Sequence, residues 1–128
     1  MCKQTRMATH NDTGKEGEVE ACAWLKKKGY QILHTNWRWH HYELDIIALQ
    51  DNVLVVIEVK TRSANFLLPP EEAVTKAKIR RIVAATDAFI RKNKLDIDVR
   101  FDLILVIKEK GTHQIDHIED AFYAPIKN

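Results

Sequence analysis

Cysteine is scarce in this chain, and the two present, Cys2 and Cys22, have no zinc-like spacing. A disulfide framework is therefore not expected, and two thiols suit a reducing compartment. Glycine and proline are also few, with 4 and 3 residues, which excludes collagen-like and low-complexity chains. Long apolar runs are missing. The longest, Val53–Ile57 and Leu103–Ile107, fall far short of the roughly 18 residues that span a bilayer, so no membrane partner is expected. Met1 to Asp12 has no apolar stretch of the signal-peptide kind, and the expected location is cytoplasmic. Excess charge of one sign is absent too, because the formal net charge is only +2.

What is present fits one ordinary domain: 128 residues, 45% hydrophobic and 30% charged. The charge is unevenly placed. From Lys60 to Lys94 nine Lys and Arg stand against three acids, whereas from Asp96 to Asn128 seven acids stand against four bases. A basic middle suggests a surface that faces a polyanion such as nucleic acid. A solvated, Lys-rich helix would give the same count.

Residues 1–12 are polar and aperiodic and read as a flexible N-terminus, with a single domain over 13–128. Thr13-x-x-Glu16 reads as a capping box opening a helix, with Val19, Cys22, Ala23 and Leu25 at helical spacing. Lys26-Lys27-Lys28 before Gly29 is a helix stop. Tyr30–Leu33 and Trp37–His41 suggest a strand with a bend near Asn36, and Glu43–Leu49 and Val53–Lys60 suggest two more around a turn at Asp51-Asn52. Ser63–Leu68 reads as a loop. A helix is expected from about Pro70, with Glu71 and Glu72 in its first turn and a stripe of Val74, Ala77, Ile82, Ala85 and Phe89. Arg100–Ile107 and Gln114–Ile118 complete an α-β-β-β-α-β-(β) order. The expected class is α/β, a mixed central sheet flanked by helices.

The turn at Asp51-Asn52 fixes a register in which Ile47 faces Val56, Asp45 faces Glu58 and Glu43 faces Lys60. Period-two alternation puts all four charged residues on one face at one end of the hairpin. Directly opposed side chains lie about 5 Å apart at Cβ, and two carboxylates at that range need compensation. Lys60 supplies it alone, or with a hard divalent cation that prefers oxygen ligands. Such a cation would serve phosphodiester hydrolysis, with the lysine stabilising the developing negative charge. The alternative is a hairpin salt-bridge cluster, Glu43 with Lys60 and Glu58 with a helix lysine. Against it, Glu58 follows five apolar residues and Asp45 precedes two isoleucines, so both acids stand where the strands enter a core.

Asp45, twelve intervening residues and then Glu58-Val59-Lys60 resemble the PD-(D/E)XK nuclease signature, found in restriction endonucleases and archaeal Holliday-junction resolvases. More closely, the chain resembles the YraN-like family of small bacterial proteins. The segments that carry this are Gly14-x-x-Gly17-Glu18-x-x-Ala21, Gly29-Tyr30-x-Ile32-Leu33, Asn36-x-Arg38, Glu43-Leu44-Asp45-Ile46-Ile47-Ala48, Glu58-Val59-Lys60-Thr61-Arg62, Glu72-Ala73-Val74 with Lys78, Arg100-Phe101-Asp102, and His117-Ile118 with Ala121-Phe122. Leu44 stands where the motif's name has proline, and Tyr42 where the family usually has glycine. The resemblance implies a restriction-endonuclease-like αβββαβ core and Mg²⁺-dependent cleavage of DNA, branched or structured DNA included, with Mn²⁺ able to substitute. It makes Asp45 and Glu58 metal ligands together with the Val59 carbonyl, Lys60 the catalytic lysine, and Glu18 a first-helix acid that completes the site. Without it, Glu18 reads as a solvent-facing helix acid.

Arg38, Arg62, Lys76, Lys78 and Arg81 are the candidate phosphate contacts, Lys78 foremost because it stands in a matching family position. His34, His40, His41, His113 and His117 match no zinc spacing and read as exposed loop histidines. Trp37 and Trp39 could stack on bases, but packing of at least one is the stronger expectation. The leading reading is a Mg²⁺-dependent DNA endonuclease of resolvase type. The alternative is a non-catalytic nucleic-acid-binding or assembly module on a nuclease fold; RNA as substrate and a homodimer stay open.

Overall fold

A computed structural model describes residues 12–64 and 74–124. The Thr13 side chain, Pro69, Pro70, Glu71 and Glu72, and with them the capping box and the proline-led helix start, lie outside the described residues.

Helix α1 runs Asp12–Lys27. It ends on Gly29 at φ +92°, where the Gly29 N–H donates to Lys26 and the Tyr30 N–H to Leu25. This paired closure requires the left-handed backbone that glycine adopts without strain. The buried stripe is Gly17, Ala21, Cys22 and Leu25, while Ala23, expected in it, is exposed. Cys22 was read as one of two thiols; no free cysteine occurs among the described residues.

Strands β1 (Gln31–Trp39), β2 (Tyr42–Gln50) and β3 (Val53–Ser63) form an antiparallel meander. Asp51 and Asn52 both take positive φ, 48° and 65°, the two-residue turn whose twist matches a hairpin. The register from Gln50↔Val53 to Ile46↔Ile57 is the one that turn dictates. Helix α2 (Lys76–Lys92) begins at Thr75, whose hydroxyl accepts from the Lys78 N–H at 3.1 Å. It buries Ile82, Ala85, Thr86 and Phe89, whereas Ala77 is exposed. Strand β4 (Asp98–Glu109) pairs parallel to β3, and β5 (Thr112–Ile118) pairs antiparallel on its far side.

The sheet order is thus β1-β2-β3-β4-β5, mixed, with a helix on each face. This agrees with a restriction-endonuclease-like αβββαβ core plus an edge strand. The α1 face buries Ile46, Ala48, Val55, Ile57, Ile104 and Val106, and the α2 face buries Leu44, Ile47, Leu54, Val56, Leu103 and Leu105. Alternation makes β3 and β4 hydrophobic on both faces, as a strand covered on both sides must be. No described helix is long and apolar enough to cross a membrane.

Two departures from regularity shape one end of the sheet. The first is a break in alternation: Leu44 belongs to the α2-side core and Ile46 to the α1-side core, although residues two apart on an unbroken strand share a face. Asp45 lies at that break, and the β2–β3 ladder stops beside it, at Ile46↔Ile57. Asn36, its neighbour by register on β1, holds φ at +52°. The second is a close approach. A Cβ at Gly17 would collide with the Thr61 hydroxyl, so only glycine lets α1 sit so near β3. That approach carries Glu18, the next residue, to the place where the strands part.

Candidate active site

Asp45 was expected directly opposite Glu58. In place of a continued backbone ladder, its carboxylate reaches across the opening and accepts the Val59 N–H at 2.9 Å. A side chain thus satisfies a backbone donor that the parting strands leave over. Burial pushes the Asp45 carboxyl well above the ordinary carboxylate range. The Glu58 carboxyl adds to this as a nearby negative charge and as a hydrogen-bond partner, and Glu18 adds its own charge. The Val59 N–H works in the opposite direction.

Glu58 is almost fully buried, its side chain 3% exposed, and its Oε2 has an ammonium on either side: Lys60 Nζ and Lys78 Nζ, each at 3.4 Å. Lys60 shares its face two residues along β3, and Lys78 arrives from the first turn of α2. Glu43, expected opposite Lys60, instead pairs with Arg38 across β1–β2 at 3.5 Å. Glu18 enters from α1. Its carboxylate accepts from Asn36 Nδ2 at 2.6 Å, and Asn36 Oδ1 accepts from Lys15 Nζ at 2.8 Å. Burial raises the Glu18 carboxyl too. Lys15 opposes the rise, the Glu43 and Glu58 charges reinforce it, and the Asn36 amide opposes it. Glu18 therefore feels both Glu43 and Glu58, and Asp45 feels Glu18: four acids share one field.

Of the candidate phosphate contacts, Lys78 reaches the Glu58 end of this cluster and Arg38 pairs with Glu43. Arg62 donates to the neighbouring Thr61 carbonyl, and Lys76 and Arg81 are exposed on α2. Among the described residues no group of three or more His, Cys, Asp or Glu side chains is spaced to hold a metal ion. The donors available are two carboxylates and a backbone carbonyl, all oxygen. Such a set suits Mg²⁺, which keeps several waters and is commonly held by one or two carboxylates, and does not suit structural zinc.

The family-model comparison places these residues. The model described as Uncharacterised protein family UPF0102 matches residues 17–106, a span running from the Gly17–Thr61 contact through Lys78 to the core of β4. The chain belongs to family UPF0102. A UPF0102 protein of Parabacteroides distasonis is 61% identical over 121 residues, covering 94% of this chain and 100% of that relative. UPF0102 proteins of Phocaeicola vulgatus and Bacteroides thetaiotaomicron are 56% and 52% identical, each over 120 residues, with 94% of this chain and 99% of the relative covered. Similarity at this level extends over both helices and the whole acid cluster of the UPF0102 chain.

Sequence reasoning missed two features. Asn36 and Lys15 hold Glu18 in place; the signs of the first were its place in the Asn36-x-Arg38 segment and at a bend, where a positive φ is cheapest for a non-glycine residue. The other is a polar network on the α1 face. His117, read as an exposed loop histidine, lies within β5 with a side chain only 9% exposed. Its Nε2 meets Asp102 Oδ2 at 2.7 Å, and its Nδ1 accepts from Trp24 Nε1 at 3.4 Å. With Nδ1 accepting, the ring proton sits on Nε2 and points at the carboxylate. Arg100 closes on Asp102 with two hydrogen bonds, 2.9 and 2.8 Å, and donates to the Tyr30 hydroxyl at 2.7 Å. The sequence signal was an acid and a base two apart in an apolar strand. This network ties β4, β5 and the end of α1 together.

Proposed function

We propose that this protein is a Mg²⁺-dependent DNA endonuclease with resolvase-like chemistry. The reading rests on one observation above the others: two buried carboxyl groups, Asp45 and Glu58, stand together where β2 and β3 part, and burial, reinforced by the Glu58 charge, raises the proton affinity of Asp45. A pair of acids held in contact and partly desolvated is the arrangement a hard cation relieves. Asp45, Glu58 and the Val59 carbonyl would hold Mg²⁺ or Mn²⁺, and Glu18, fixed by Asn36, would complete the acid set. A divalent ion held there supplies Lewis-acid charge to a phosphate and favours ionisation of a water.

The chain's own residues do the rest. Lys60 stands beside Glu58 and can orient a nucleophilic water or stabilise charge developing on the scissile phosphate. Lys78, with Lys76 and Arg81 exposed along α2 and Arg38 beside Glu43, lines the approach of a polyanion. DNA is the proposed substrate, branched or structured DNA included. The test is cleavage of branched, flapped and linear duplexes with Mn²⁺ or Mg²⁺. Nicking that is abolished by Lys60→Ala supports the reading.

A second reading is favoured by the two ammonium groups on Glu58, which neutralise that acid with no metal present. On this reading the protein is a nucleic-acid-binding or assembly module built on a nuclease fold. Salt-dependent DNA binding with no strand cut under any divalent ion would select it.

A further inference from the structure

Two ammonium groups converge on one oxygen, Glu58 Oε2, from different elements. Lys60 is tied to Glu58 by the strand they share. Lys78 is anchored differently: its backbone N–H is held by the Thr75 cap at the start of α2, and its side chain reaches Glu58 across the gap. Its side chain is 36% exposed where that of Glu58 is 3% exposed, so the lysine has solvent to move into and the carboxylate does not. At 3.4 Å both contacts are longer than the roughly 2.7–2.9 Å of a tight charge-assisted hydrogen bond. A four-carbon stem on a fixed backbone lets the ammonium swing without disturbing the helix.

We propose that Lys78 is an exchangeable counter-ion: it holds the cation position at Glu58 until a divalent ion arrives, and its ammonium then passes to a phosphate of the nucleic acid. The inference rests on the metal site of the preceding subsection and adds how that site is regulated. A divalent ion seeking Glu58 Oε2 competes with Lys78 for the same oxygen. A phosphate that draws Lys78 away removes the competitor, so metal and polyanion each strengthen binding of the other, as linkage requires. Lys78 is then a competitor of the metal and a contact for the substrate, roles that its substitution separates by sign.

The test is calorimetric titration of the full chain with Mn²⁺ alone, for wild type, Lys78→Met and Lys78→Arg, with short-duplex binding measured alongside. Lys78→Met is expected to bind Mn²⁺ roughly fivefold tighter, the size of one partly screened ion pair. With Mn²⁺ present it should bind the duplex more weakly, with a salt slope smaller by about one. Lys78→Arg, which keeps the charge, should hold the wild-type Mn²⁺ affinity. A merely structural role would weaken both kinds of binding together. Lys78→Gln gives the same comparison should Lys78→Met fail to fold. Unchanged or weaker Mn²⁺ binding in the neutral variants, or unchanged duplex binding, overturns the exchange while the metal site stands. Absence of Mn²⁺ binding in wild type and variants alike overturns the metal site and the exchange with it.

Discussion

Asp45 on β2 and Asp102 on β4, with β3 between them, are carboxyls with opposite pH signatures. The Asp45 carboxyl is raised in the folded chain, so between the ordinary carboxylate value and that raised value the folded state binds more protons than the unfolded one. Its contribution to stability therefore falls as pH rises through that window. Asp45→Asn removes this penalty and retains an acceptor for the Val59 N–H. It is predicted to stabilise the protein at pH 7 by on the order of 1 kcal/mol, a few degrees in Tm. The gain should vanish below about pH 4, the unfolded carboxylate range, in melts followed by circular dichroism. Asp102 behaves oppositely. Burial favours its neutral form but is outweighed by hydrogen bonds from His117, Arg100 and the Asp120 N–H, and its carboxyl is lowered. Its contribution is complete above the ordinary carboxylate range and is lost as pH falls through the lowered value. Asp102→Ala, which leaves Arg100 without its buried partner, is predicted to cost about 3–5 kcal/mol by urea unfolding at pH 7. A loss under about 1 kcal/mol would show that the network is not a tie between the strands.

At the scale of elements, what the sequence revealed and what it concealed have separate causes. The β2–β3 register was legible because it is a local consequence of Asp51-Asn52, whose side chains tolerate the left-handed backbone of a two-residue turn. The parting of those strands at Asp45 was not legible, because it depends on Asn36 in another strand and on β3 turning its other edge to β4. Glu18 was readable in principle: it lies four residues before Cys22 and seven before Leu25, hence on the buried stripe of α1, and a carboxylate in such a stripe calls for a partner. Patterning alone, with Ala23 in the stripe, reads it as solvent-facing; the family resemblance is what brings it to the site. Val74, expected in the helix stripe, precedes the Thr75 cap that opens the described helix α2. That cap also fixes Lys78, which gives it a functional consequence. Thr75→Ala should cost about 1 kcal/mol in stability. It should also lower duplex affinity by freeing the turn that carries Lys78, measured by fluorescence anisotropy. Loss of stability with unchanged affinity would separate the cap from the site.

At the scale of the molecule, the described residues put a helix on each face, which leaves the centre of the sheet buried and its Asp45 end open to charged side chains. Among the described residues, the basic middle of the sequence takes in the end of β3 and α2, the two elements that bring Lys60 and Lys78 to Glu58. The acidic C-terminal third contributes its buried acid, Asp102, to the network on the α1 face. The charge asymmetry in the sequence thus corresponds to two separate places in the fold, the proposed site at one end of the sheet and an ion network on the α1 side. Family UPF0102 membership covers the proposed site from Gly17 to Lys78 without naming its chemistry. The central claim is that Asp45 and Glu58 together hold a divalent cation, and Mn²⁺ titration by calorimetry tests it most directly, on wild type with Asp45→Asn and Glu58→Gln as folded controls. The account predicts a single saturable site in wild type that either substitution abolishes. Equal binding, or equal failure to bind, in all three chains would contradict it.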